Sequence, residues 1–553
     1  MNNDSQSSVD TQNTRLGIVV SGSLAEGVEV RLDPDISVEE VKVGRYVTIQ
    51  GQSMRFFGVV TDITLGATDP SLKLSPPDVS NPNISKVVSG TAAYGLVSVE
   101  PMLAIGDEPL SMLDGPQPAK TVPPHFSQVC LASDQDIQLV FGSEDERRFW
   151  IGNPMDMETK LCLDMEELVK RSNGVFGKSG TGKTFLTRLI LIGILQSGQA
   201  TNLVFDMHSE YGWEGSSEAG RKVKGLKQLF SSRVAVFSLD EASSRRRGLT
   251  PDYLVRIGYD EIEPEDIQVL RDTLNLSEVA ADAAYSLERH FGSKRWLKKF
   301  LNHPGGEAFG DLARELNVND RALSTLKNRL SSLERLQFVD EGSGHDSVGE
   351  ILRYLDRGVH VVLEFGRYGR DLSAYILVAN LLTRRIYDRY VQLTEKTMGE
   401  QIQEPTPLVI TIEEAHKFLN PAIADQTIFG TIAREMRKYN VTLLVVDQRP
   451  SGIDDEVMSQ LGTKITCLLD NERDVEAVLT GVSGSRKLRS VLSRLGSKQQ
   501  ALVFGHALPM PMVIQTREYG SIESYREMGF KESIELKAQM ESDVEDLFGP
   551  SNG

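Results

Sequence analysis

From residue 14 to residue 150 the apolar positions come in short alternating runs broken by glycine: LGIVVSG, GVEVRL, RYVTIQG and RFFGVVTDITLG. Alternation puts one face of each run in a core and the other in solvent. Evenly spaced runs of this kind predict a small β-barrel or sandwich over 14–150. The stretch PSLKLSPPDVSNPNISK reads as a loop. A second proline-rich stretch, Gly115 to Pro124, precedes DIQLVFG, which reads as one more strand. Residues 1–13 are polar and acidic, and predict a disordered leader rather than a secretory signal.

Past residue 150 the period changes. Val175 and Phe176 end an apolar run, and FLTRLILIGILQSG, from Phe185, has helical spacing that closes near Gly198. TNLVFDMHSEYGW supplies a strand with carboxylates at its end. GVHVVLEFG, PLVITIEEAHKFL, VTLLVVDQRPS, TKITCLL and QALVFG follow as strands, separated by helical stretches such as LSAYILVANLLTRRIYDRYVQL. This alternation predicts an α/β core over 151–215 and 350–520, with a mostly parallel sheet and ligands at the carboxyl ends of its strands. Residues 216–349 read as an excursion from it. A strand-like RVAVFSL and a basic turn at Arg245, Arg246 and Arg247 come first, the turn being either a pore contact or a solvated surface. DIQVLRDTLNL, AAYSLERHF and ALSTLKNRLSSLERL then predict an all-α insertion, a partner-docking unit or a lid. Residues 521–553 read as a helical, acidic tail, docked or free.

With 553 residues the chain exceeds one ordinary domain, and its 40% hydrophobic and 25% charged residues are those of a soluble protein. No apolar run of membrane-spanning length is free of charges or turn residues, so no membrane partner is expected. Cys130, Cys162 and Cys467 are too widely spaced for a disulfide framework or a metal knuckle, which points to the cytoplasm. A net charge of −18 argues against a surface that binds nucleic acid everywhere, yet leaves room for a locally basic channel.

The chemistry is concentrated in a few places. Gly177, Lys178, Ser179, Gly180, Thr181, Gly182, Lys183 and Thr184 form a complete G-x-x-x-x-G-K-[ST] phosphate loop between the strand ending at Phe176 and the helix containing Phe185. Its glycines let backbone N–H groups and the helix N-terminus face a triphosphate. Lys183 would reach the β- and γ-phosphates, and the Thr184 hydroxyl would bind Mg²⁺. The apolar run Leu408 to Ile412 delivers Glu413 and Glu414 to a strand end. Glu413 is assigned to the metal side and Glu414 to the attacking water. In VTLLVVDQRPS, Gln448 follows Asp447, and its amide can bond the γ-phosphate or the lytic water. The basic stretch Thr431 to Tyr439 carries Arg434 and Arg437, either of which could stabilise phosphoryl transfer in a neighbouring subunit. Asp206, His208 and Glu210 lack the spacing of a protein-bound zinc site and read as support for the active site.

Taken together, the phosphate loop at Gly177, DMHSEY at Asp206, IEEAH at Ile412, AREMRKY at Ala433 and DQRPS at Asp447 occur in the order seen in HerA-like ATPases. That family belongs to the HerA/FtsK group of P-loop (RecA-like) translocases. The resemblance extends to the β-rich N-terminal region, similar to the family's HAS-barrel, and covers about Thr14 to Gln515. It implies a homohexameric ring that hydrolyses ATP with Mg²⁺, moves double-stranded DNA, and partners a NurA-like nuclease in DNA end processing, repair or defence. By motif it gives Lys183 and Thr184 to phosphate and Mg²⁺, Glu414 to catalysis, Gln448 to sensing, and Arg434 or Arg437 to the inter-subunit finger. Glu413 departs from the Asp commonest at its position. Two other classes remain open: a protein-moving ring of the conjugation or secretion type, and a nucleotide-dependent regulatory scaffold.

Overall fold

The computed structural model describes residues 14–530 apart from 70, 75, 78–79, 81–86, 89–91, 109–114, 217–221, 305–306, 343–345, 400–403, 436–437 and 483–484. Much of the PSLKLSPPDVSNPNISK loop, the leader, Arg437 and the acidic stretch from Glu541 lie outside these residues. Among the described residues, no helix is long and apolar enough to cross a membrane.

The alternating runs become β1 (Arg15–Ser23), β2 (Gly27–Leu32), β3 (Tyr46–Gln50), β4 (Met54–Ala67), β5 (Ala93–Gly106), β6 (Gln117–Pro118) and β7 (Gln128–Leu131). They pair in the order β2-β1-β7-β3-β4-β5-β6, and a further β2–β5 pairing closes the sheet into a barrel. Its interior takes alternate residues, among them Val28, Val30, Val47, Ile49, Val60, Val97, Val99 and Val129. DIQLVFG is not a strand. Asp134–Phe141 is a helix, because Ser133 and Asp136 form a reciprocal capping box and Gly142 ends it at φ 73°.

The core is a 12-stranded sheet. Its strands are β8 (Arg148–Pro154), β9 (Leu161–Asp164), β10 (Asn173–Phe176), β11 (Thr201–Asp206), β14 (Val234–Ser238), β15 (Tyr253–Leu254), β18 (His360–Glu364), β19 (Leu408–Glu413), β20 (Val441–Asp447), β21 (Thr463–Thr466), β22 (Gln500–Gly505) and β23 (Met512–Thr516). The short pairs β12–β13 (Gly215–Ser216 with Lys222–Val223) and β16–β17 (Ile257–Gly258 with Val339–Asp340) lie apart from it. The order is β15-β14-β18-β11-β19-β20-β10-β21-β22-β23-β8-β9. Pairing is parallel from β15 to β21 and antiparallel from there to β9. RVAVFSL, at β14, therefore extends the main sheet alongside β18 rather than belonging to the helical excursion. The helical unit proper begins at Pro264 and packs around the fully buried Trp296, whose indole N–H donates to the Ile262 carbonyl at 2.9 Å.

Alternate residues of the parallel strands face opposite layers. Val175, Val204, Val409 and Val446 fall in one buried cluster with the apolar residues of the helix Lys183–Ser197, while Phe205, Ile410, Ile412 and Val445 fall in another with those of the long helix Leu372–Gly399. The barrel docks at the antiparallel end of the sheet. There Lys42 pairs with Asp156 at 2.8 Å, Ser490 Oγ donates to the Thr61 carbonyl at 2.8 Å, and Lys487 pairs with Glu100.

Candidate nucleotide site

β10 is buried throughout and runs between β20 and β21, with Phe176 opposite both Asp447 and Thr466. The chain then turns through the phosphate loop into the helix Lys183–Ser197. Gly177 has φ 156°, and a Cβ there would come within 2.8 Å of Cys467 Cβ and 2.9 Å of Thr181 Oγ1, so only glycine lets the loop start this close to β21. The Thr181 hydroxyl donates to the Lys178 carbonyl at 2.8 Å, and Lys178 Nζ is held by Asp470 at 2.7 Å. At the helix start Gly182 offers no side-chain cap, so the first N–H groups of a fifteen-residue helix are left to face the cleft.

The cleft holds about 430 Å³ and is lined by Lys178, Ser179, Gly180, Gly182, Lys183, Thr184, Phe185, Glu413, Glu414 and Gln448 from the expected set, by His208 and Glu210 from the expected supporting residues, and by Arg188, Ser209 and Gly215 in addition. A wider cleft of about 640 Å³ around Trp150 and Arg517 contains none of the expected residues. No ion pair to Lys183 is found among the described residues. Burial pushes its pKa down, against the pull of Glu413, Asp447 and Glu414. An uncapped helix start, a half-buried ammonium and a threonine hydroxyl form a donor set suited to a triphosphate. Nearby carboxylates, including a buried Glu413 Oε2 without a hydrogen bond, suit the hydrated shell of Mg²⁺.

β19 lies one strand beyond β20, so its acids approach the phosphate loop from across that strand. β11 stops pairing with β19 at Ile412. The Tyr375 hydroxyl then takes over both backbone groups of Glu413, donating to its carbonyl at 2.9 Å and accepting its N–H at 3.2 Å. Glu414 next adopts φ 49°, a left-handed turn that breaks strand alternation and lets both side chains line the cleft. Burial, with Asp206 and Glu210 nearby, pushes the Glu413 carboxyl up to about 8, while its Oε1 accepts from the Tyr211 hydroxyl at 2.9 Å. Glu414 Oε1 accepts from Gln448 Nε2 at 3.3 Å, joining the ends of β19 and β20 directly.

Asp447, fully buried, accepts from the His416 N–H at 2.7 Å, from the Arg449 N–H at 2.6 Å, and lies 2.9 Å from His416 Nδ1. Burial would raise its pKa, but these His416 and backbone contacts outweigh that and hold it below the ordinary carboxylate range. The Phe185 ring stacks on Tyr519 at 5.8 Å, with the Arg188 guanidinium over both. Arg434 does not line the cleft of its own chain. It ends the helix Ile428–Arg434 and pairs with Asp425 at 2.6 Å, Glu456 at 3.4 Å and Asp454 at 3.7 Å. The expected basic turn is instead the end of a short helix, Glu241–Arg246, with Arg247 as its C-cap; Arg247 pairs with buried Glu364 and Arg245 with Glu241. Contacts the sequence did not disclose include Asp470 on the phosphate loop and Glu210 on Thr184; DMHSEY was the only signal for the second.

A phosphate loop on a strand flanked by β20 and β21, with a carboxylate pair one strand further over, defines a P-loop ATPase, a class that uses ATP and Mg²⁺. Residues 149–386 match the family model of the central domain of the helicase HerA, and residues 16–105 match that of the HAS barrel domain. The probable helicase MJECL08 of Methanocaldococcus jannaschii is 30% identical over 373 residues, covering 66% of this chain and 69% of the relative. The DNA double-strand break repair helicase HerA of Pyrococcus furiosus is 23% identical over 411 residues, 69% of this chain and 71% of its own. That of Sulfurisphaera tokodaii is 23% identical over 520 residues, 91% and 93% respectively. The chain belongs to the HerA family of helicases. Among solved structures, VirB4 of Thermoanaerobacter pseudethanolicus covers 69% of this chain and 99% of itself at 14% identity, TM-score 0.43. The plasmid coupling protein TrwB in complex with ADP and Mg²⁺ covers 70% and 98% at 12% identity, TM-score 0.43.

Proposed function

We propose that the chain forms a hexameric ring, hydrolyses ATP and moves double-stranded DNA through its centre, serving DNA end processing with a NurA-like nuclease as partner. The observation that carries the catalytic part is the 3.3 Å bond between Glu414 and Gln448 in the cleft that the phosphate loop also lines. It puts a carboxylate able to take a proton from water beside an amide able to hold that water or the γ-phosphate. Lys183 and the free N–H groups at the start of its helix bind the phosphates. Thr184 would contribute its hydroxyl to the metal, and the cation would draw the proton off the Glu413 carboxyl beside it. Bound Mg²⁺ would neutralise charge between the β- and γ-phosphates.

Completion in trans falls to Arg434 or Arg437. The partners that hold Arg434 in its own chain include Asp425 and Glu456, 83% and 66% exposed, and such surface pairs are worth only about 0–1 kcal/mol, so the guanidinium is readily released to a neighbour. Membership in a family whose relatives are named as DNA double-strand break repair helicases supports DNA as the substrate. Steady-state ATP hydrolysis with and without linear duplex DNA tests the reading, together with the mass of the particle in solution. DNA should accelerate turnover in a six-subunit particle. A rate indifferent to DNA refutes translocation while leaving the ATPase intact.

A further inference from the structure

A threonine hydroxyl offers its oxygen to a metal most readily when its own hydrogen is held elsewhere, because the lone pairs then point away from the hydrogen-bond partner. The hydrogen of Thr184 is held by Glu210: the hydroxyl donates to Glu210 Oε2 at 3.1 Å. Glu413, whose place at the end of β19 marks it for the metal side, instead has Oε1 on the Tyr211 hydroxyl.

The position of Glu210 is fixed from two sides by buried groups. Asp206, fully buried at the end of β11, accepts the N–H groups of Glu210 at 2.7 Å, Tyr211 at 2.8 Å and Gly212 at 3.2 Å. Arg188, on the phosphate-loop helix one turn beyond Thr184, is 2% exposed. Its Nε donates to the Glu210 carbonyl at 2.9 Å, and its Nη2 bonds the same oxygen. A solvated acid on a surface loop would need neither constraint.

We propose that Glu210 is the positioning residue for Mg²⁺ in this site: it retains the Thr184 proton so that the hydroxyl oxygen faces the metal, and acts on the metal through Thr184. The proposal rests on the ATPase reading and reassigns part of the metal-side role from β19 to the loop after β11.

The test uses the full-length protein and a fluorescent non-hydrolysable ATP analogue, bound first in EDTA and then with MgCl₂ titrated in. Glu210→Ala should raise the MgCl₂ concentration for half-saturation by about 10–100-fold, the usual effect of removing a residue that orients a metal ligand. Glu210→Gln should fall between Glu210→Ala and wild type. Analogue binding in EDTA should not weaken, and the thermal midpoint should stay within about 2 °C. Adding Glu210→Ala to Thr184→Ala should change little further, since the effect passes through the hydroxyl. An unchanged MgCl₂ requirement, an equal loss of affinity in EDTA, or independent effects in the double variant would each overturn the assignment. Wild-type protein that binds no analogue at all would instead overturn the ATPase reading, an outcome distinct from any of these.

Discussion

Glu413→Gln in the metal-free, nucleotide-free protein isolates the cost of burying that carboxyl. In the folded chain, burial and the neighbouring Asp206 and Glu210 push Glu413 up to about 8. In the unfolded chain it titrates near its ordinary value of about 4.3. Between these values the folded state holds the proton and the unfolded state does not, so stability falls as pH rises, by about 1.4 kcal/mol per pH unit. From about pH 5 to about pH 7.5 this amounts to roughly 3 kcal/mol, with no contribution below the unfolded value and the full cost above about pH 8. Gln cannot ionise, keeps the shape, and can still accept from the Tyr211 hydroxyl. The advantage of the variant over wild type should therefore grow by roughly 3 kcal/mol across that window. Urea unfolding at fixed protein concentration, in chelator, followed by tryptophan fluorescence, reads the difference at each pH. Glu364, whose carboxyl is also raised by burial, is present in both proteins and largely subtracts out. Parallel pH curves for the two proteins would refute the reasoning.

Other perturbations reach the remaining parts. Lys183→Ala should lower ATP turnover by at least about 100-fold, read as steady-state phosphate release; turnover near wild type would remove the lysine from the phosphate site. Glu414→Gln should slow single-turnover cleavage by about 100- to 10,000-fold while analogue affinity stays within about threefold, and cleavage at the normal rate would show that another group takes the proton. Arg434→Ala should impair only assembled rings, and mixing it with Glu414→Gln subunits should restore part of the activity; no recovery in any mixture would leave Arg437 as the finger. His360 is buried with Nδ1 accepting the Asn202 N–H at 3.0 Å, and burial and Arg233 push its pKa down to about 3. Its neutral form is the stable one, so its contribution is complete at neutral pH and is lost as pH falls below the ordinary value. About 2 kcal/mol should disappear between pH 7 and pH 5, and His360→Asn should flatten that slope.

What could be seen in the sequence was what depends on contiguous residues. The phosphate loop and its flanking strand and helix are local, and Gly177 to Phe185 carry the whole signal. The strand ends at Glu413 and Asp447 were visible because an apolar run stops at a cluster of polar residues. The misreading of DIQLVFG weighed alternation above a cap that was itself in the sequence: Ser133 followed three residues later by Asp136. The placement of β14 was hidden for a different reason. Its partner β18 begins at His360, beyond the whole helical unit, and no local pattern reports so distant a pairing. Lys178 with Asp470 is the same kind of contact, spanning 292 residues.

The turn after β11 shows why a motif can be recognised before its purpose is. DMHSEY draws attention as a cluster of acids and a histidine, which suggests ligation, yet its acids do unlike things. Asp206 is spent on backbone N–H groups, and by fixing them it sets where the next side chains go. Glu210 then meets the phosphate-loop threonine while Tyr211, its neighbour, meets Glu413 at the end of β19. One buried carboxylate thus ties the phosphate loop to the strand that supplies the acids, across a sheet in which β10 and β19 are not adjacent. Because Glu210 and Tyr211 are consecutive on a rigidly held turn, a shift of Thr184 toward a metal and a shift of Glu413 are mechanically linked. Substitutions at Asp206 should therefore disturb both contacts together, whereas those at Glu210 or Tyr211 should disturb one each.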